Sequence, residues 1–181
     1  VTDEGLEKSF ALLLASPFML TELLLPLLQK CGKGRVINVV SGGMYTQAVH
    51  PDDLNYEQEP YDGPKAYARA KRGLLDMTRW WAQQPAHQSV VFHAMHPGWA
   101  DTQAVADSLP GFYRTLQPWL RTPEQGADTI VWLAAAAEPL TCNGEFWLDR
   151  RIHTTAVFPG TESSAATRAE LRRRLLTLVH T

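Results

Sequence analysis

Arg35-Val36-Ile37-Asn38-Val39-Val40-Ser41 is a short run dominated by β-branched residues, closed in front by Cys31-Gly32-Lys33-Gly34 and behind by Gly42-Gly43. It shows no polar alternation, so it reads as a strand buried on both faces, as in a parallel sheet covered by helices. Ser89-Val90-Val91-Phe92-His93-Ala94-Met95 is a second such run, broken by His96-Pro97-Gly98, and Gly144-Glu145-Phe146-Trp147-Leu148 is a third. Helical segments separate them. Residues 3–30 read as a helix buried almost all round, with Asp3, Glu4 and Glu7 at its start to suit the dipole. Lys65 to Gln83 is a second helix. Thr122-Pro123-Glu124-Gln125 opens a third, running to about Glu138: Thr caps, Pro takes the first helical position, and Gln lies three residues on. The order helix, strand, helix, strand, helix, strand implies a doubly wound parallel α/β sheet of about three strands with right-handed crossovers. Residues 1–160 are assigned to that domain. Residues 161–181 form a tail whose amphipathic helix, Thr167 to His180, carries Arg172, Arg173 and Arg174 on one side.

Composition narrows the function. The 181 residues are 45% hydrophobic and 20% charged, which excludes a disordered or low-complexity chain. Seventeen Lys and Arg against nineteen Asp and Glu leave a net charge of -2, with no basic stripe for nucleic acid. Cys31 and Cys142 have neither disulfide-framework nor metal-ligand spacing, which fits a reducing, cytoplasmic compartment. The apolar run from Phe10 to Leu28 approaches the ~20 residues of a membrane span. It contains Pro17, Glu22 and Pro26, however, and reads as a core helix instead. Val1 is not Met and no charged leader precedes it, so the chain reads as the back part of a longer protein.

In parallel sheets ligands bind beyond the carboxyl ends of the strands, which directs attention to the residues after Val40 and Met95. Tyr67 and Lys71 stand at i and i+4, on one helix face and about one turn apart. A phenol titrates near ~10 and is a poor acid or base at neutral pH. A lysine ammonium beside it favours the phenolate and brings proton transfer into range. Ser41, at a strand's carboxyl end, is placed to hold a substrate oxygen against that phenol. Alone, the Tyr-Lys spacing is equally that of a solvated helix face. Other chemistries fit less well. His93 and His96 are three apart on a strand and point to opposite faces, so they do not make a metal pair. Ser41 lacks the preceding Gly of a hydrolase elbow, the residue there being Val39. Trp80-Trp81 reads as core or interface, and Arg172 to Arg174 as a solvated face more readily than a surface for a membrane or an acidic partner.

Taken together and in order, Arg35–Ser41, then Tyr67-Ala-Arg-Ala-Lys71, then His96-Pro-Gly-Trp-Ala-Asp-Thr102 resemble the short-chain dehydrogenase/reductase family. Ser41-Gly-Gly-Met44, Asp62-Gly63 and Leu148-Asp149-Arg150 point to its retinol-dehydrogenase-like branch. The resemblance covers about residues 3–150. It implies a partial Rossmann-like fold and hydride transfer between a nicotinamide, NAD or NADP, and a small-molecule carbonyl or alcohol. Tyr67 would be the general acid/base, Lys71 would hydrogen-bond the nicotinamide ribose, and Ser41 would position the substrate oxygen. Pro97, Gly98 and Thr102 would contact the nicotinamide end of the cofactor. Residues 103–121 would cover the substrate, and the apolar Leu109, Phe112, Tyr113, Leu116 and Trp119 suggest a lipophilic one. Helices 3–30 and 65–83 would pack against a second subunit in a homodimer.

Two features depart from the family pattern. No G-x-x-x-G-x-G or G-x-G-x-x-G occurs, so the glycine-rich half that anchors the pyrophosphate and chooses between NAD and NADP is missing from this sequence. The first helix should also carry a water-holding Asn in an Asn-x-x-Gly run, but Leu13-Leu14-Ala15-Ser16 stands there. A second reading follows from these departures: a truncated, non-catalytic protein that dimerises or binds through its first two helices.

Overall fold

The computed structural model of the chain describes residues 1–101, 111, 114–115 and 117–179. Helix α1 (Lys8–Cys31) leads into β1 (Gly34–Val39), α2 (Gly63–Ala82) and β2 (Val90–Met95). Helix α3 (Pro123–Ala135), β3 (Phe146–Leu148), β4 (Arg151–Ile152) and α4 (Ala165–Val179) follow. The strands make one sheet in the order β1-β2-β3-β4. β1 and β2 pair in parallel from Gly34 opposite Val90 to Val39 opposite Met95, and β3 joins β2 in parallel at Ala94 opposite Phe146. The three expected strands are thus parallel neighbours. β4 adds a fourth, antiparallel to β3. Two residues are too few to show a hydrophobic period, so the sequence does not announce it. The helical excursion expected over 103–121 lies mostly outside the described residues.

Local chemistry explains where the elements begin and end. Glu7 caps α1, accepting from Ser9 N and Phe10 N, and Gly32, at φ 66°, ends it in the left-handed conformation that glycine adopts without strain. Asp62 caps α2 by accepting from Lys65 N. Thr122 and Gln125 form the expected capping box of α3, each side chain satisfying the other's backbone N–H. Gly34 must lack a side chain, because a Cβ there would stand 2.8 Å from Leu28 Cβ and 2.9 Å from Leu28 O.

The sheet is covered on both faces. Val36, Val40, Val90, Phe92 and Phe146 pack against α1, α2 and α4, whereas Ile37, Met95 and Trp147 pack against Leu133 and Ile130 of α3. Trp81 centres the larger core. It stacks on Phe18 at 5.6 Å and on Phe92 at 5.9 Å, and its indole N–H donates to Glu22 at 2.6 Å. The C-terminal helix belongs to this same core through Leu171 and Leu175. Its arginines are partnered: Arg173 and Arg174 both meet Glu170, while Arg172 lies over the Trp80 ring at 4.3 Å and near Glu22.

Helix α1 departs from expectation. It is not buried all round: Phe10, Leu14, Phe18 and Leu25 face the core, but Leu12, Leu20, Leu23 and Leu27 are exposed. By length and composition alone it could cross a membrane; in the fold it is an amphipathic core helix. The outer face of α2 is taken by α4 and the segment before it. Of the two helices expected to meet a second subunit, only α1 therefore presents a broad apolar surface. Beneath that cover lies a buried polar cluster. Arg72 and Asp76, both 0% exposed, form an ion pair at 3.4 Å. Ser163 donates to Asp76 at 2.6 Å, Arg72 to Thr155 O and Arg168 to Ser163 O, each at 2.6 Å. Burial pushes the Asp76 carboxyl up, against the pull of Arg72.

Removing one partner of this cluster leaves the other charge buried and alone. Asp76→Ala is expected to destabilise the fold by about 3–5 kcal/mol in urea titration, whereas an apolar replacement of both Arg72 and Asp76 costs far less. Gly34→Ala, whose Cβ meets backbone rather than a movable side-chain tip, is expected to cost about 1–3 kcal/mol in the same measurement.

Candidate active site

β1 and β2 end side by side, and both chains leave the sheet at the same edge. Ser41, in extended backbone at φ −141°, is the second residue beyond β1; its Oγ accepts from Gly43 N at 3.4 Å and opens a tight turn over Gly42–Tyr45. That turn packs on α2: a Cβ on Gly43 would lie 3.6 Å from Ala68 Cβ, the residue next to Tyr67. Ser41 and Tyr67 are brought to one end of the fold by this contact. Tyr67 is 39% exposed. One turn on, Lys71 Nζ donates to Val39 O at 2.8 Å and stands 6.0 Å from the centroid of the Tyr67 ring. Burial pushes the Lys71 ammonium down from the ordinary lysine range. The arrangement holds a cation against the phenol and fixes it to the last residue of β1, leaving two ammonium protons for a ligand.

The second wall follows β2. His96 N donates to Trp147 O at 2.9 Å, which fixes the start of the Pro97-Gly98 turn. The N-terminal turn of α3 packs closely beneath it because residue 126 is glycine: a Cβ there would be 3.6 Å from Pro97 Cβ and 3.2 Å from Ala100 Cβ. Thr102 lies outside the described residues, as do Leu109, Phe112, Tyr113 and Leu116; Trp119 is 84% exposed. Ser41, Tyr67, Lys71, Pro97 and Gly98 therefore share the carboxyl edge.

His96 also belongs here, although the sequence motifs give it no role. Its Nε2 lies 3.3 Å from the point that a Cβ on Gly42 would occupy, and its Nδ1 is buried without a hydrogen-bond partner. Burial pushes the imidazole down. The one signal in the sequence is position, immediately after a strand and before Pro-Gly. His93 is a different case: Nε2 meets Pro139 O at 2.9 Å and Nδ1 accepts from Trp147 Nε1 at 3.1 Å, so both nitrogens serve the core. Among the described residues no three His, Cys, Asp or Glu side chains group as a metal site.

These residues suit the nicotinamide end of a dinucleotide, with ammonium, phenol and hydroxyl donors beside a backbone turn. They do not provide for its phosphates. Gly42-Gly43 opens a single tight turn, not a helix whose N-terminus could hold an anion. Leu13 stands in a π-helical turn, Ala11–Ala15, within α1, where Ser16 Oγ donates to Ala11 O at 2.9 Å. Such turns recur at functional sites, but a leucine offers no hydrogen bond there.

Comparison with known proteins identifies relatives by sequence and by fold. The chain is 42% identical over 174 residues to human dehydrogenase/reductase SDR family member 12, covering 94% of this chain and 53% of that protein. Human retinol dehydrogenase 14 is 30% identical over 155 residues, or 82% of this chain and 46% of that protein. The chain thus spans about half the length of the curated relatives it matches. A crystal structure of an uncharacterized protein from Mycobacterium paratuberculosis superposes with a TM-score of 0.74 at 21% identity, covering 100% of this chain and 62% of that one. The TT0495 protein from Thermus thermophilus gives 0.59 at 22% identity, over 84% of this chain and 59% of the other. Both share the fold. The short chain dehydrogenase family model matches residues 1–111, a span that takes in Ser41, Tyr67, Lys71 and Pro97-Gly98, and on that ground the chain belongs to the short-chain dehydrogenase/reductase family.

Proposed function

We propose that this chain supplies the acid/base and nicotinamide-binding part of an NAD(P)-dependent oxidoreductase acting on a lipophilic carbonyl or alcohol. One observation carries the reading: Lys71 Nζ, tied to Val39 O at 2.8 Å, stands 6.0 Å from the Tyr67 ring centroid. The cofactor, when bound, supplies or accepts a hydride at the substrate carbon. Tyr67 gives the balancing proton to the carbonyl oxygen in reduction and takes it from the hydroxyl in oxidation. Lys71 stands beside the phenol and has donors left for the nicotinamide ribose. Ser41 Oγ holds the reacting oxygen, and the Pro97-Gly98 turn takes the nicotinamide side. The lipophilic substrate class is supported by the names of the retinol dehydrogenases among its relatives and by the exposed Trp99 and Trp119.

Fluorescence titration with NADPH and NADH, reading tryptophan quenching, tests the pocket. Saturable binding that Lys71→Ala abolishes supports the reading; a flat response at millimolar cofactor overturns it for this chain. In a form of the protein that turns over substrate, Tyr67→Phe is expected to lower kcat by about 10²–10⁴-fold, the usual share of general acid–base catalysis.

Lys71 also carries a stability signature. Its folded pKa is depressed by burial, so the ammonium opposes folding at every pH below that folded value. The opposition fades as pH rises from that folded value and is gone above the unfolded value near 10.5. Lys71→Met is therefore expected to raise the melting temperature at pH 7 while abolishing cofactor binding. The gain over the unsubstituted chain should shrink towards pH 10.5, read by thermal scans across that range.

A further inference from the structure

Gly98 has a φ of +78°, and the space beside its Cα is filled: a Cβ would stand 2.7 Å from Arg121 Nε and 2.8 Å from Arg121 Cδ and Cζ. The Arg121 guanidinium thus lies directly against the glycine. Its backbone closes the same turn, with Arg121 N donating to Trp99 O and Asp101 N to Arg121 O, both at 2.8 Å. Asp149 holds the guanidinium through both carboxylate oxygens, with Oδ2 accepting from Arg121 Nη2 at 2.7 Å.

Asp149 is itself set with care. It and Arg150, in the turn between β3 and β4, have φ of 52° and 57°. A two-residue hairpin turn takes φ > 0 at both central positions, and residues other than glycine hold that conformation at a cost that their surroundings must offset. The hold is visible. Arg150 forms a two-pronged pair with Asp128 of α3, its Nε 2.8 Å from Oδ2, and Arg150 N donates to Thr129 Oγ1 at 3.3 Å. The strained turn is thereby bolted to α3, and Asp149 is aimed at Arg121. Yet the Arg121 and Asp149 side chains are 33% and 54% exposed, and exposed ion pairs contribute little to overall stability. So much fixed geometry around a pair of small global weight indicates a local task.

We propose that Arg121 and Asp149 are positioning residues that set the Pro97-Gly98 turn against the nicotinamide end of the cofactor. The assignment rests on the cofactor reading given above. Neither residue touches the reacting atoms; they act through Gly98. A displacement of this turn by about 1 Å would cost up to ~10²-fold in catalysis. A lysine at 121 keeps the charge but cannot make both bonds to the carboxylate, so it does not replace the arginine.

The test compares the chain with Arg121→Lys, Arg121→Ala and Asp149→Asn by two measurements. Hydrogen–deuterium exchange without cofactor reads the turn itself. Titration with NADPH and NADH reads its consequence. Exchange over residues 97–101 should rise, and cofactor affinity fall, by about tenfold in all three, scaled to the cost of a small misplacement. Exchange in β1 and α2 and the melting temperature should stay unchanged. Unaltered exchange at 97–101 in Arg121→Ala overturns the proposal, as does wild-type behaviour of Arg121→Lys. Faster exchange with wild-type affinity, or with a general loss of stability, overturns the functional role and leaves a structural one. If the unsubstituted chain binds neither cofactor, the cofactor reading fails and the functional role falls with it; the exchange measurement still decides whether the pair holds the turn.

Discussion

Val39 and Met95 lie side by side as the last partners of a parallel ladder that begins at Gly34 and Val90. Every group in the site is referenced to that rung. Ser41 and Pro97 each stand two residues beyond it, and Lys71 is tied to the Val39 carbonyl itself. Parallel strands deliver their carboxyl ends to one edge, which is why two loops far apart in sequence can face one ligand. The ladder is in turn fixed by its faces. Val36 and Val40 go to the larger core and Ile37 to the smaller. A slip of one residue would exchange the two sets.

Around that ladder, stability and chemistry are handled by different groups. The paired charges of Arg72 and Asp76, either of which the fold cannot lose alone, are wholly buried and lie under the C-terminal helix. Those of the site remain part-exposed. Lys71 is the exception, since burial desolvates its ammonium beside the Tyr67 ring. The α1–α2 contact serves both sides. Gly73 lets Leu14 approach to where a Cβ would be only 2.6 Å from Cδ2, and Leu14 belongs to the π-turn beside Leu13. A backbone irregularity is kept at that point although the side chain there has no polar atom.

Much of this is legible in the sequence because it is local. The two β-branched runs, the Asp62 and Thr122 caps, the Tyr67–Lys71 spacing and the Pro97-Gly98 break each follow from a few adjacent residues. What escapes depends on contacts made across the chain. The outer face of α1 reads as buried, because leucines at 12, 20, 23 and 27 look like core until packing shows which side is covered. β4 is too short to have a period. Arg72 and Asp76 resemble any i, i+4 surface pair until residues 153–168 close over them. His96 and Arg121 are site residues only because Gly42 and Gly98 make room for them, and no spacing rule encodes that. Thr102 is named by the motif and lies outside the described residues.

The position of β1 has a further consequence. Among the described residues it is the outermost strand of the sheet, paired on one side only, and it lies close to α1, whose exposed leucines include Leu20, Leu23 and Leu27. An outer strand offers a row of backbone donors and acceptors that any extended polypeptide can match. Among the described residues, the free side of β1 is thus the place where a further strand, from the same chain or from another, can extend the sheet.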